Sequence, residues 1–120
     1  MLSHYSQTDA FITKDGSEIR ELMHPKRHGN VQQSLAEATV AVGGETQRHK
    51  HLRTEEIYHI TQGSGVMQLG QQCIDVVAGD SVCIAPGTIH NIKNTGDVPL
   101  KILCCCSPAY SDDDTVLVSA

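Results

Sequence analysis

Gly43-Gly44-Glu45-Thr46-Gln47-Arg48-His49-Lys50-His51-Leu52-Arg53-Thr54-Glu55-Glu56-Ile57-Tyr58-His59-Ile60-Thr61-Gln62-Gly63 opens the stretch that decides the fold. Gly79-Asp80-Ser81-Val82-Cys83-Ile84-Ala85-Pro86-Gly87-Thr88-Ile89-His90-Asn91-Ile92-Lys93-Asn94 closes it. His49 and His51 sit two apart, so on a strand both imidazoles leave the same face. Glu56 follows after a short loop, at the head of the apolar run Ile57 to Ile60. His90 lies in a further strand-like segment, Ile89 to Asn94. Three imidazoles and a carboxylate form a mixed nitrogen and oxygen set suited to Fe, Mn, Ni, Co, Cu or Zn. No spacing rule alone brings His90 to the other three; that step needs a fold.

The two segments resemble the paired motifs of the cupin superfamily, G-x5-H-x-H-x(3,4)-E-x6-G and G-x5-P-x-G-x2-H-x3-N. Gly43, His49, His51, Glu56 and Gly63 meet the first in full, the final spacing selecting Glu56 over Glu55. Gly79, Gly87, His90 and Asn94 meet the second, with Ala85 in the proline slot and Pro86 one place later. The resemblance covers about the middle half of the chain. It implies an all-β double-stranded β-helix, a jelly-roll barrel, whose strands bring both motifs to one pocket. It also implies that His49, His51, Glu56 and His90 hold one divalent transition metal per chain. Fe or Mn is favoured, with Ni, Zn, Co or Cu as alternatives.

Composition agrees with one small domain. The chain has 120 residues, no Trp and a single Phe, so its core must come from Val, Ile, Leu, Ala and Cys. A formal charge of -5 argues against nucleic acid or an anionic membrane surface as the main partner. No apolar run approaches a membrane span, and the N-terminus lacks a signal-like apolar core, so a cytoplasmic location is expected. A small-molecule ligand and a homodimer covering an exposed sheet are the expected partners. Five cysteines, an odd number, do not suggest a secreted disulfide framework. In Cys104-Cys105-Cys106 the outer two share a face, and strand packing explains them better than a soft-metal site or a redox thiol.

Residues 1–33 read as an arm and loop, 34–108 as the barrel and 109–120 as a tail. Asp15 to Met23 is ambiguous: Asp15 with Glu18 resembles a helix capping box, whereas Asp15-Gly16 equally suits a turn before a strand. A short N-terminal helix is therefore one of two readings. His24 and His28 fall in a polar loop, where solvated side chains are the usual outcome. Ser34 to Val42 alternates, with Ala36, Ala38, Val40 and Val42 on one face. Arg48 and Lys50 point away from the paired histidines, and His59 away from Glu56. Asn94 to Asp97 carries a hairpin signal before the apolar strand Leu100 to Cys106. Asp112-Asp113-Asp114 reads as a solvated turn, with Val116 to Val118 docking back.

Tyr58 shares the Glu56 face by period two and is the candidate proton donor or acceptor in the pocket, against the plainer reading of a barrel-filling ring. Open metal positions distinguish a catalytic cation from a structural one. The leading expectation is a metal-dependent, dioxygenase-like enzyme acting on a small oxygen-rich molecule, with Glu56 and Tyr58 catalytic. Ile60, Val82 and Ile92 are expected to give its apolar wall. A non-catalytic binding module, a structural metal and a bare barrel are the other classes. An isomerase of phosphorylated sugars needs cations at the pocket mouth, where Arg53 alone is suitable. The cupin lyases that cleave a sulfonium propionate carry a Tyr three residues before the paired histidines, where Thr46 stands here.

Overall fold

Alternating burial along the strands shows why this sequence folds as two facing sheets. A computed structural model describes residues 1–119. After a 3-10 turn at Tyr5–Gln7 come strands β1 (Ala10–Ile12), β2 (Glu18–Met23), β3 (Ser34–Val40), β4 (His49–His51), β5 (Glu55–Gln62) and β6 (Ser64–Leu69). Strands β7 (Gln72–Val77), β8 (Ser81–Ile84), β9 (His90–Asn94), β10 (Leu100–Ser107) and β11 (Thr115–Leu117) follow. A six-stranded sheet runs β1-β2-β3-β10-β5-β8, and a five-stranded sheet runs β11-β4-β9-β6-β7. All pairings are antiparallel among the described residues. This is the expected all-β jelly-roll.

The inward residues of β5, β8, β9 and β10 make the core. Ile60, Ile84, Ile92, Leu100 and Ile102 are almost completely buried, with Met67 from β6. Each contributes about 2 kcal/mol of burial, which is how a chain without Trp closes a core. Val42 breaks the expected alternation, because β3 ends at Val40 and Val42 lies exposed in the following turn.

One open reading is settled and two further expectations change in the folded chain. Residues 15–23 are not helical: Gly16, at φ 90°, turns β1 into β2, and its amide donates to the Thr13 carbonyl. Residues 1–33 therefore lend two strands to the larger sheet, β2 pairing with β3, and β11 comes from the tail. The Asn94–Asp97 turn does not close a hairpin, since β9 and β10 lie in different sheets. Its turn chemistry is nevertheless present: the Gly96 amide donates to Asn94 Oδ1, while Asn94 Nδ2 donates to the Val40 and Val98 carbonyls. A turn signal reports backbone curvature and not which sheet receives the next strand. Finally, Asp114 is buried and not solvated.

Close approach of β6 to its neighbours depends on Gly65. A Cβ there would stand 2.6 Å from the Lys93 carbonyl oxygen and 3.2 Å from Leu100 Cδ2. Gly65→Ala is expected to cost about 1–3 kcal/mol through overpacking. Urea denaturation checks this, and an unchanged midpoint would contradict the backbone contact described.

Candidate metal centre

Both sheets contribute to the site. Strands β4 and β9 pair with His49 directly opposite His90, and His51 follows on the same inward face. Glu56 comes from β5 in the other sheet, so the chain must cross between sheets from Leu52 to Thr54. Asp114 holds that crossing: its carbonyl accepts from the Leu52 amide, Oδ1 from the Arg53 amide and Oδ2 from the Thr54 amide. Thr54 Oγ1 also donates to the Pro108 carbonyl at 3.0 Å. Nothing in the acidic run itself announced this role.

The three imidazoles are oriented by bonds at Nδ1. His49 Nδ1 lies 2.9 Å from the Gln47 carbonyl and His90 Nδ1 2.9 Å from the Thr88 carbonyl. Carbonyls only accept, so both Nδ1 atoms carry the proton. His51 Nδ1 lies 3.0 Å from Thr115 Oγ1, whose own proton goes to the Ser111 carbonyl. Here too Nδ1 donates. With its proton fixed at Nδ1, each ring turns Nε2 toward the pocket, the arrangement that metal-ligating histidines favour. One ring nitrogen from each histidine lies within 4.8 Å of those of the other two.

Carboxylates face these lone pairs. Glu56 Oε1 stands 3.1 Å from His51 Nε2 and 3.6 Å from His90 Nε2. Asp15 Oδ2 stands 3.7 Å from His49 Nε2. Glu56 thus faces His51 and His90 while Asp15 faces His49, and protons or a cation must lie between these acceptors. His90 Nε2 is buried with no hydrogen-bond partner, an unsatisfied atom of the kind a metal would occupy. The residues present therefore fit a transition-metal cation. Burial pushes the Glu56 carboxyl up, but the adjacent His51 and His90 rings outweigh it and hold it down at about 2.

Beside this set lies a small cavity of about 40 Å³ that opens to the surface. His49, His51, Glu56 and Tyr58 line it, together with Asp15, Glu21, Tyr110 and the thiols of Cys104 and Cys106. Its apolar wall is Ile19, Ala36, Ala38 and Cys104. The expected wall of Ile60, Val82 and Ile92 is instead core, because those residues fill the space between the sheets. Arg53 is also away from the cavity, 78% exposed and turned toward Asp114. Burial first, then the Glu56 charge, pushes the Tyr58 phenol far up, so it keeps its proton. The same two causes raise Cys104 and Cys106, and Cys106 Sγ lies 3.3 Å from Glu56 Oε2 as a thiol donor.

The other singled-out residues have structural partners. His24 is buried, bracing its loop through the Tyr110 carbonyl and the Lys26 amide, and His28 Nδ1 accepts from the His24 amide. His59 points outward to Ser81 Oγ, and Arg48 donates to Gln68 Oε1. Asp15, Thr115 and Cys106 were missed as site residues. For Asp15 the Asp-Gly turn was visible, but its placement over the pocket depends on β2 pairing with β3.

A pH dependence follows. Burial first, then the neighbouring His90, lowers the His49 pKa below its ordinary 6.5. The unfolded chain thus takes up a proton there before the folded one. The resulting stability loss begins as pH falls through about 6.5 and is complete below the folded value. Protons also compete for Nε2, so metal affinity is expected to drop below about pH 6. A metal titration across pH 5 to 8 measures it, and flat affinity would argue against histidine ligation.

A jelly-roll barrel with a histidine-rich pocket between its sheets defines a class. The sequence profile of the cupin domain family matches residues 36–106, and the chain belongs to that family. An uncharacterized protein of Methanocaldococcus jannaschii, MJ1618, is 51% identical over 116 residues, covering 97% of this chain and 93% of that protein. Among solved structures, the polyketide cyclase RemF from Streptomyces resistomycificus superposes with TM-score 0.83 at 19% identity, covering 100% of this chain and 86% of RemF. A predicted oxalate decarboxylase from Thermotoga maritima gives TM-score 0.76 at 25% identity, covering 90% of this chain and 99% of that one. Among the described residues, no helix is long and apolar enough to cross a membrane.

Proposed function

We propose that this cupin is a metal-dependent enzyme acting on a small, neutral, oxygen-rich molecule, with His49, His51, His90 and Glu56 as the metal's ligands. The observation carrying this reading is the convergence of imidazole lone pairs and carboxylate oxygens, without a donor among them, beside a cavity. A divalent transition metal held there would supply a Lewis acid, or with Fe or Mn a redox centre, for an oxygen of the bound molecule.

The lining selects the ligand's charge. Asp15, Glu21 and Glu56 are acidic, and among the described residues no Lys or Arg lines the cavity. A phosphate or dicarboxylate would meet these carboxylates without a compensating side chain, which disfavours the sugar-phosphate isomerase reading. Tyr58, kept protonated by burial, donates a hydrogen bond to a substrate oxygen. Ile19, Ala36 and Ala38 shed water from the remaining surface.

Lewis-acid chemistry is the first reading, because the thiols of Cys104 and Cys106 line the cavity and would be oxidation targets beside activated oxygen. Dioxygenase-like chemistry is the second, favoured by the apolar wall. Mn²⁺-loaded protein tests the proposal: a panel of neutral hydroxy-carbonyl compounds is scanned for paramagnetic broadening beside sugar phosphates and dicarboxylates. Broadening of neutral members, weakened in Tyr58→Phe, is expected; broadening confined to the anions would overturn the charge argument. Oxygen uptake with a bound compound would move the chemistry to the second reading.

A further inference from the structure

The β1–β2 turn carries a carboxylate that the four-ligand set leaves without a role. Asp15 Oδ1 is fully engaged: it accepts from Thr13 Oγ1 at 2.8 Å, from the Ser17 amide at 2.9 Å and from Ser17 Oγ at 2.7 Å. The Asp15 carbonyl accepts from the Gln47 amide at 2.8 Å, which ties the turn to the chain just before His49. The remaining oxygen, Oδ2, lies 3.7 Å from His49 Nε2, and the side chain is only 13% exposed. It also lines the cavity. A carboxylate oxygen brought out of water to face a lone pair is costly unless a cation lies between them.

We propose that Asp15 is a fifth metal donor, contributed through Oδ2; this rests on the metal-site reading above. Metal–donor bonds of about 2.0–2.2 Å put neighbouring donors roughly 3 Å apart and opposite ones roughly 4 Å apart, and 3.7 Å falls within that interval. Three factors support the assignment. The orienting bonds all fall on Oδ1, which leaves Oδ2 free. The Asp15-to-Gln47 backbone bond fixes the turn to the same segment that bears His49. Two carboxylates would also balance a divalent charge, matching a cavity that lacks Lys and Arg. The set becomes three nitrogens and two oxygens, a harder field of the kind that suits Mn or Fe. An octahedral ion would keep one position for a substrate oxygen.

Chelator-stripped wild type, Asp15→Asn and Asp15→Glu are titrated with Mn²⁺ and with Co²⁺, whose visible absorption reports coordination number. Asp15→Asn keeps the Oδ1 acceptor, so the turn and the metal-free melting temperature should be retained. Its Mn²⁺ affinity is expected to fall at least about tenfold, with a changed Co²⁺ spectrum. Asp15→Glu, which keeps the charge at longer reach, should bind more tightly than Asp15→Asn. Equal affinity and identical Co²⁺ spectra in all three proteins would overturn the assignment of Asp15 alone. Wild type that takes up neither metal would instead overturn the metal site itself.

Discussion

His51→Ala is expected to weaken metal binding by more than about a hundredfold, beyond the tenfold to hundredfold loss typical of removing a partner that merely orients a ligand. His51 holds a central position among the ligands. Its Nε2 faces Glu56 at 3.1 Å, and its Nδ1 is fixed by Thr115 from β11. Alanine removes a donor and leaves Glu56 without its nearest neighbour. The barrel should nevertheless fold, because the core of Ile60, Ile84, Ile92, Leu100 and Ile102 does not pass through this ring. The metal-free variant should therefore still melt cooperatively by circular dichroism. Added metal, which raises wild-type stability by about 4 kcal/mol at a thousandfold excess over Kd, should leave the variant's melting temperature unmoved. A variant that unfolds outright would indicate a structural cation instead.

Asp114→Ala should give the largest loss of stability outside the core, about 3 kcal/mol, from two backbone donors left without a charged acceptor. The Arg53 and Thr54 amides lie in the short crossing between His51 and Glu56, so the change also loosens the spacing of two ligands. Burial pushes Asp114 up, but the bonds from Thr54 and Arg53 outweigh it and hold the carboxyl below its ordinary 3.8. Its contribution is thus present above about pH 4 and is lost as pH falls through the folded value. Chemical denaturation at pH 7 and pH 3 measures both parts. The wild-type advantage over Asp114→Ala should shrink at the lower pH, and a constant difference would contradict the ionic origin.

Much of this arrangement was legible in the chain because the signals were local. Two histidines at period two, a Glu opening the next strand and His90 followed by Ile92 and Asn94 gave the inward faces of β4, β5 and β9. Alternation likewise put Cys104 and Cys106 on one face and Cys105 on the other, and the folded chain turns the first face inward. What stayed hidden depends on which strand pairs with which. The period-two pattern of β2 does not reveal that its turn sets Asp15 over His49. The acidic run at Asp112–Asp114 looks like any solvated turn until β11 pairs with β4 and carries Asp114 beneath the Leu52–Thr54 crossing. Apolar residues such as Ile60 and Val82 face inward as expected, yet inward here means the packed core, while smaller Ala36 and Ala38 leave room for the cavity.

Elemental analysis of untagged protein, purified without chelators beside a His51→Ala, His90→Ala double variant, tests the central claim most directly. The account predicts close to one transition-metal ion per wild-type chain, Fe or Mn foremost, and none above background in the variant. Wild type that stays metal-free after loading, or a variant that retains as much metal as wild type, would contradict it.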